Sequence, residues 1–148
     1  MDKSTAGKTL SGLEYLRQMI KDWHVSPMSN IMNMKLIEVA DGSALFEAFP
    51  GPKYYNPQQR VHGGYAATLI DSALGCAVQT KLAVGVGYGT IELKVNYVRR
   101  IDEDSGRLLC TGTVIHAGRT MFTAEAKVVD QNDKLCAHGS GTFLVYPT

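Results

Sequence analysis

Leu13, Leu16, Ile20 and Trp23 recur at three- and four-residue steps, which predicts an amphipathic helix over residues 10–24. Ser11 stands at its start with Glu14 three residues on, the pattern of a capping box, and Pro27 is expected to end it. Residues 34–39 have extended character, and Asp41-Gly42 reads as a tight hairpin turn into a second short strand over 44–49. In that strand Leu45, Glu47 and Phe49 point one way. Pro50-Gly51-Pro52 stops it, and a loop follows over 53–60. From residue 61 to about 83 the chain is rich in Ala and Gly, with Leu69, Ile70, Leu74 and Val78. Asp71 is its one acid, and a helix apolar nearly all round is a buried one. Gly85-Val86-Gly87-Tyr88-Gly89 reads as a flexible connector. Beyond it Ile91, Leu93, Val95 and Tyr97 alternate with Glu92, Lys94 and Asn96. Three further strands, over 108–115, 121–129 and 135–146, are separated by short turns, the signature of an antiparallel meander.

The order helix, hairpin, buried helix, four strands predicts an α+β fold: an antiparallel sheet wrapped around a central buried helix, with an extra N-terminal helix. The length of 148 residues suits a single domain over 10–148, preceded by a frayed polar segment over 1–9. Lys and Arg total 15 against 14 for Asp and Glu, so the net charge of +1 argues against a broad nucleic-acid surface. No apolar run is long enough for a transmembrane helix, and the first residues lack the apolar core of a signal peptide. Cys76, Cys110 and Cys136 form no CxxC pair, which fits a reducing cytoplasm better than a disulfide framework. There is no HExxH and no clustered Cys/His set, so no metal is expected.

Six places could carry chemistry. His62-Gly63-Gly64 opens the buried helix, where unpaired N–H groups and the helix dipole favour an anion or a developing oxyanion. Glycines let a ligand reach that backbone, although they also serve close packing. Asp71 is either a functional acid or a polar contact at a helix interface, since a buried carboxylate needs a partner. His62 and Asp71 are nine residues apart, on opposite sides of one helix and about 13 Å apart along its axis. Two helices packed antiparallel in a dimer would bring one copy's Asp71 to the other's glycines, so a site built from these groups is expected at a subunit interface. Asn56 offers an amide that holds a water or a carbonyl, or simply starts an Asn-Pro turn. Thr90 lies where connector becomes strand and reads on its own as an ordinary strand residue. Arg99-Arg100 and the hairpin His116-Ala117-Gly118-Arg119-Thr120 could hold phosphates or be solvated strand ends. Gly85 to Gly89 follows a helix and precedes a strand, the reverse of the dinucleotide-binding order.

Asn56, then His62-Gly63-Gly64, then Asp71, followed by the Gly-rich turn and Thr90-Ile91-Glu92-Leu93-Lys94-Val95-Asn96-Tyr97, resembles the hotdog-fold acyl-CoA thioesterases. More narrowly it is similar to the PaaI-like group, which includes phenylacetate-pathway and 4-hydroxybenzoyl-CoA-type enzymes. The resemblance runs from about residue 34 to the C-terminus. It implies hydrolysis of an acyl- or aryl-CoA, with Asp71 activating water or attacking the carbonyl and the Gly63 N–H as oxyanion donor. It implies that Asn56 positions the water or carbonyl, that His62 orients the loop or contacts the thioester, and that Thr90 assists the carboxylate. Gly64, Arg99, Arg100, His116, Gly118, Arg119 and Thr120 match positions that contact CoA. Asp71 and Gly63 would come from different subunits of a homodimer, itself paired into a dimer of dimers. Gln58-Gln59-Arg60-Val61 and Arg99-Arg100-Ile101 depart from the common pattern of that group. Tyr54, Tyr55, Tyr65 and the N-terminal helix are candidates to line the acyl pocket. A non-catalytic acyl-CoA sensor and an acyl-thioester dehydratase are the competing readings. Asp71 speaks against the first, and the lack of a His–acid motif against the second.

Overall fold

The computed structural model describes residues 9–148, so the fraying expected for 1–9 lies, apart from Thr9, outside the described residues. The first helix, α1, spans Gly12–Lys21. Ser11 caps it in the expected reciprocal way: its Oγ accepts from the Glu14 N–H, and the Glu14 carboxylate accepts from the Ser11 N–H at 2.9 Å. Leu16 is its buried anchor. The helix stops short of residue 24 because Trp23 turns left-handed, at φ 53°. Pro27 does not end it. Pro27 instead opens a second short helix, α2 (Pro27–Ile31), capped by Ser26. Its fixed φ and missing N–H suit a first helical position.

Strands β1 (Met34–Ala40) and β2 (Ser43–Ala48) form the expected hairpin, with Gly42 at φ 78° in the turn. A 3-10 turn over Pro52–Tyr54 leads to the central helix α3 (Gly63–Gln79), capped by His62. Strands β3 (Val86–Tyr97), β4 (Leu108–Ala117), β5 (Met121–Val129) and β6 (Leu135–Pro147) complete one six-stranded sheet. Its neighbours are all antiparallel, in the order β1-β2-β4-β5-β6-β3.

Two expectations need correction. The Gly85–Gly89 stretch is not a connector: β3 already begins at Val86, and only Gly85, at φ 74°, makes the turn. Gly87 is small because a Cβ there would lie 2.5 Å from the Thr148 side chain and 3.2 Å from the Tyr146 ring. The last four strands are not one meander either. β4, β5 and β6 are, but β3 lies at the far edge against β6 while β4 pairs with β2. α3 spans the inner face of the sheet and so delivers the chain to the opposite edge.

Leu69, Ile70, Ala73, Leu74, Ala77 and Val78 of α3 are fully buried against an inner sheet face of Phe46, Leu108, Cys110, Val128 and Phe143. β1, one edge, is covered by α1 and α2. β3, the other edge, packs on α3 but pairs with no strand on its outer side among the described residues, and it exposes Ile91 and Tyr97, with Val98 just beyond its end. A long edge strand with exposed apolar side chains is a template for pairing.

Candidate active site

At the start of α3 the backbone is arranged around one free donor. The His62 Nδ1 accepts from the Gly64 N–H at 2.8 Å, and the Tyr65 N–H bonds the His62 carbonyl at 2.9 Å. The Gly63 N–H meets no acceptor among the described residues, and no helical carbonyl precedes it. Because Nδ1 is an acceptor here, the imidazole proton belongs on Nε2. The Tyr97 hydroxyl donates to the Gly63 carbonyl at 2.9 Å, and its ring lies 3.1 Å from where a Cβ on residue 63 would stand. Glycine at 63 therefore keeps the N–H approachable and leaves room for Tyr97. Tyr97 reads in the sequence only as one more residue of an alternating strand, so this contact had no signal there.

A groove of about 290 Å3 opens beside this helix end, lined among others by Asn56, Arg60, His62, Gly63, Arg99 and Arg100. The Asn56 Oδ1 accepts from the N–H groups of Gln58, at 2.9 Å, and Arg60, at 3.3 Å. Its oxygen is spent on the turn, and only its NH2 group is left to donate to a ligand. Arg100 pairs with Asp102 at 2.8 Å, whereas Arg99 forms no ion pair among the described residues.

Asp71 is elsewhere. It sits half-buried, two turns into α3, and its Oδ1 accepts from the Thr90 hydroxyl at 3.0 Å. Thr90 owes its aim to a bulge: it pairs with Phe143 and Glu92 with Thr142, which leaves Ile91 extra. From Gly63 to Asp71 the rise is about 12 Å, so one chain keeps the two apart. Neither Asp71 nor Thr90 lines the groove at Gly63.

His116, Gly118, Arg119 and Thr120 lie where β4 turns into β5, and the Thr120 carbonyl accepts from Val145. Through the register Met121↔Leu144↔Gly89, this hairpin shares an end of the sheet with Thr90. Arg99 and Arg100 follow the opposite end of β3. The two basic segments therefore do not meet within one chain. Tyr54, Tyr55 and Tyr65 do not line the groove: the Tyr54 hydroxyl bonds the Ile31 carbonyl, the Tyr55 hydroxyl accepts from the Glu103 N–H, and Tyr65 is buried against the Tyr54 ring. Burial raises the Tyr65 phenol pKa, so it stays protonated. All three cysteines are free thiols. Among the described residues no three His, Cys, Asp or Glu side chains cluster as metal ligands, and no helix is long and apolar enough to cross a membrane.

Residues 58–137 match the family model described as the thioesterase superfamily. A provisionally named esterase of Halobacterium salinarum is 39% identical over 94 residues, covering 58% of this chain; the chain spans only 60% of that relative's length. Among solved structures, a conserved protein of Pseudomonas aeruginosa is 31% identical, with a TM-score of 0.77 over 85% of this chain and 98% of its own. The PaaI protein of the Escherichia coli phenylacetic acid degradation operon, 20% identical, superposes with a TM-score of 0.78 over 92% of this chain and 95% of its own. These structures share the sheet wrapped around a helix.

Proposed function

The chain belongs to the thioesterase superfamily and has a hotdog fold, and from that premise we propose that it hydrolyses acyl- or aryl-CoA thioesters to the free acid and CoA, at a site shared between two copies. The observation that carries this reading is the Asp71 carboxylate held by Thr90 beside the unpaired outer edge of β3. Two copies of β3 paired antiparallel about a two-fold axis set the Thr90 end of one opposite the Tyr97 end of the other. One copy's Asp71 then faces the other's Gly63.

In that arrangement the thioester carbonyl points at the Gly63 N–H, whose positive helix end stabilises the oxyanion. Asp71 takes a proton from the attacking water, or its carboxylate attacks the carbonyl directly; either route ends with water consumed, the C–S bond broken and the proton passed to the departing thiolate. The Asn56 NH2 group, left free by the turn, donates to the water or the carbonyl in this reading. Arg99, Arg100 and Arg60 supply cations for the CoA phosphates, and the His116–Thr120 hairpin of the Asp71-bearing copy is a second anion contact. No cofactor takes part in these steps.

Release of free thiol from a panel running from acetyl- to decanoyl-CoA, with benzoyl- and phenylacetyl-CoA, tests the reading. At least one class is expected to turn over at about 1 s⁻¹ or faster. Saturable binding of these thioesters with no thiol release overturns it and leaves an acyl-CoA-binding module.

A further inference from the structure

Two consecutive peptide groups open α3, His62–Gly63 and Gly63–Gly64, and every polar atom of theirs but one is engaged among the described residues. The His62 carbonyl accepts from the Tyr65 N–H, the Gly64 N–H donates to the His62 Nδ1, and the Gly63 carbonyl accepts from the Tyr97 hydroxyl. Only the Gly63 N–H is left. The Gly63–Gly64 peptide is thus gripped at both ends by side chains, one local and one from the edge of the sheet. The two glycines make room for this grip. A Cβ on Gly64 would stand 3.0 Å from the His62 Nδ1, and one on Gly63 would stand 3.1 Å from the Tyr97 phenol oxygen. They also make the grip necessary, because two adjacent glycines leave the backbone free to turn.

The two side chains differ in what holds them. Backbone bonds from the Val61 N–H to the Ile101 carbonyl and from the His62 N–H to the Tyr54 carbonyl anchor the chain up to residue 62. His62 belongs to the helix start that it caps, so its ring does not tie residues 63 and 64 to the sheet. Tyr97 does. It closes β3 and pairs with Ala137 of β6, and the next two N–H groups, of Val98 and Arg99, both donate to the Cys136 carbonyl, at 2.8 and 3.0 Å. Its side chain shares the inner side of β3 with Leu93 and Val95, which pack on the core, and it lines the groove at Gly63. The phenol is therefore a strut from a fixed point of the sheet to the Gly63 carbonyl.

We propose that Tyr97 is a positioning residue for the reaction: its hydroxyl holds the Gly63–Gly64 peptide so that the Gly63 N–H stays aimed into the groove where the oxyanion forms. The proposal rests on the thioesterase reading for the reaction and deepens it. A donor stabilises developing charge most when it needs no reorganisation at the moment of reaction, so the phenol acts on the transition state more than on substrate binding.

Tyr97→Phe removes the hydroxyl and keeps the ring beside Gly63 and the groove. Its kcat for thiol release is expected to fall about three- to tenfold, the effect of one hydrogen bond, with KM within about twofold of wild type and Tm little changed. A second readout needs no turnover. Gly63-Gly64 is the one Gly-Gly pair in the chain, so glycine labelled with ¹³C at its carbonyl and with ¹⁵N singles out that peptide group by NMR of the full chain. Loss of the hydrogen bond is expected to move the Gly63 carbonyl carbon signal upfield in the variant. An unmoved signal overturns the proposal. So does a moved signal with wild-type kcat, which gives Tyr97 a structural role only. A moved signal in a chain that releases no thiol from any thioester upholds the strut and sinks the hydrolase reading alone.

Discussion

Asp71→Asn is expected to lower kcat for thiol release by about a hundredfold or more, with the fold intact. The amide has the shape of the carboxylate, and its Oδ1 can still accept the Thr90 hydroxyl that now stands 3.0 Å away. It cannot take a proton from water and is a poor nucleophile. The position is half-buried and outside the fully buried stripe of α3, so thermal stability is expected to change by no more than about 0.5 kcal/mol. Because the charge takes part in the transition state, the loss should fall on kcat with KM little altered. Steady-state kinetics on the best thioester of the panel decides this. A variant with wild-type kcat would remove Asp71 from the mechanism.

Gly112→Ala is expected to destabilise the fold by about 3 kcal/mol, at the upper end of overpacking effects. Gly112 lies on β4, directly against the backbone of α3. A Cβ there collides with the Ala73 carbonyl oxygen, 2.6 Å from its carbonyl carbon and 3.0 Å from the Leu74 nitrogen. These are backbone atoms of the central helix, and no side-chain rotation relieves the contact. Helix and sheet would have to separate across the whole core, which is packed to crystal-like density. For a chain of this size the loss corresponds to about 6–12 °C in Tm. Gly89→Ala is the control, because the nearest atom to its Cβ is a Tyr146 ring carbon at 3.9 Å. A calorimetric scan in which both variants melt together would show that the close approach at Gly112 does not limit stability.

Particular residues show how much of this was legible in the sequence. The Ser11–Glu14 box, the Asp41-Gly42 turn and the apolar run of α3 are local patterns, and the structure has them. The place of β3 is not local. It depends on α3 crossing the sheet, and the short turn before residue 108 looks like a hairpin although it closes a crossover. Pro27 illustrates a two-sided signal: proline ends one helix or begins another, and Ser26 tips it to the second. The glycines of 85–89 suggest flexibility in isolation, but Gly87 is the space that the Tyr146 ring and Thr148 require.

The same holds for the candidate site. Spacing and residue type pick out His62, Gly63 and Asp71 as positions, only the resemblance adds Thr90, and helix geometry separates Gly63 from Asp71. It does not show that the Asn56 oxygen is spent on its own turn, that Tyr97 braces the Gly63 carbonyl, or that Arg99 and Arg119 lie toward opposite ends of the sheet. The first depends on the conformation of the loop before α3, and the other two on where the strands lie, which is fixed only once the sheet is assembled.

In the proposed dimer one catalytic site takes Asp71 from one copy and the Gly63 N–H from the other. Co-expression of differently tagged Asp71→Asn and Gly63→Val chains, followed by isolation of the hybrid, tests it most directly. Each homogeneous variant should be nearly inactive, since the valine side chain covers the donor and crowds Tyr97. A hybrid dimer then carries one site with both lesions and one with neither, and is expected to recover about half of the wild-type rate per dimer. A hybrid no more active than its parents would place both groups in sites built from single chains and contradict the shared site.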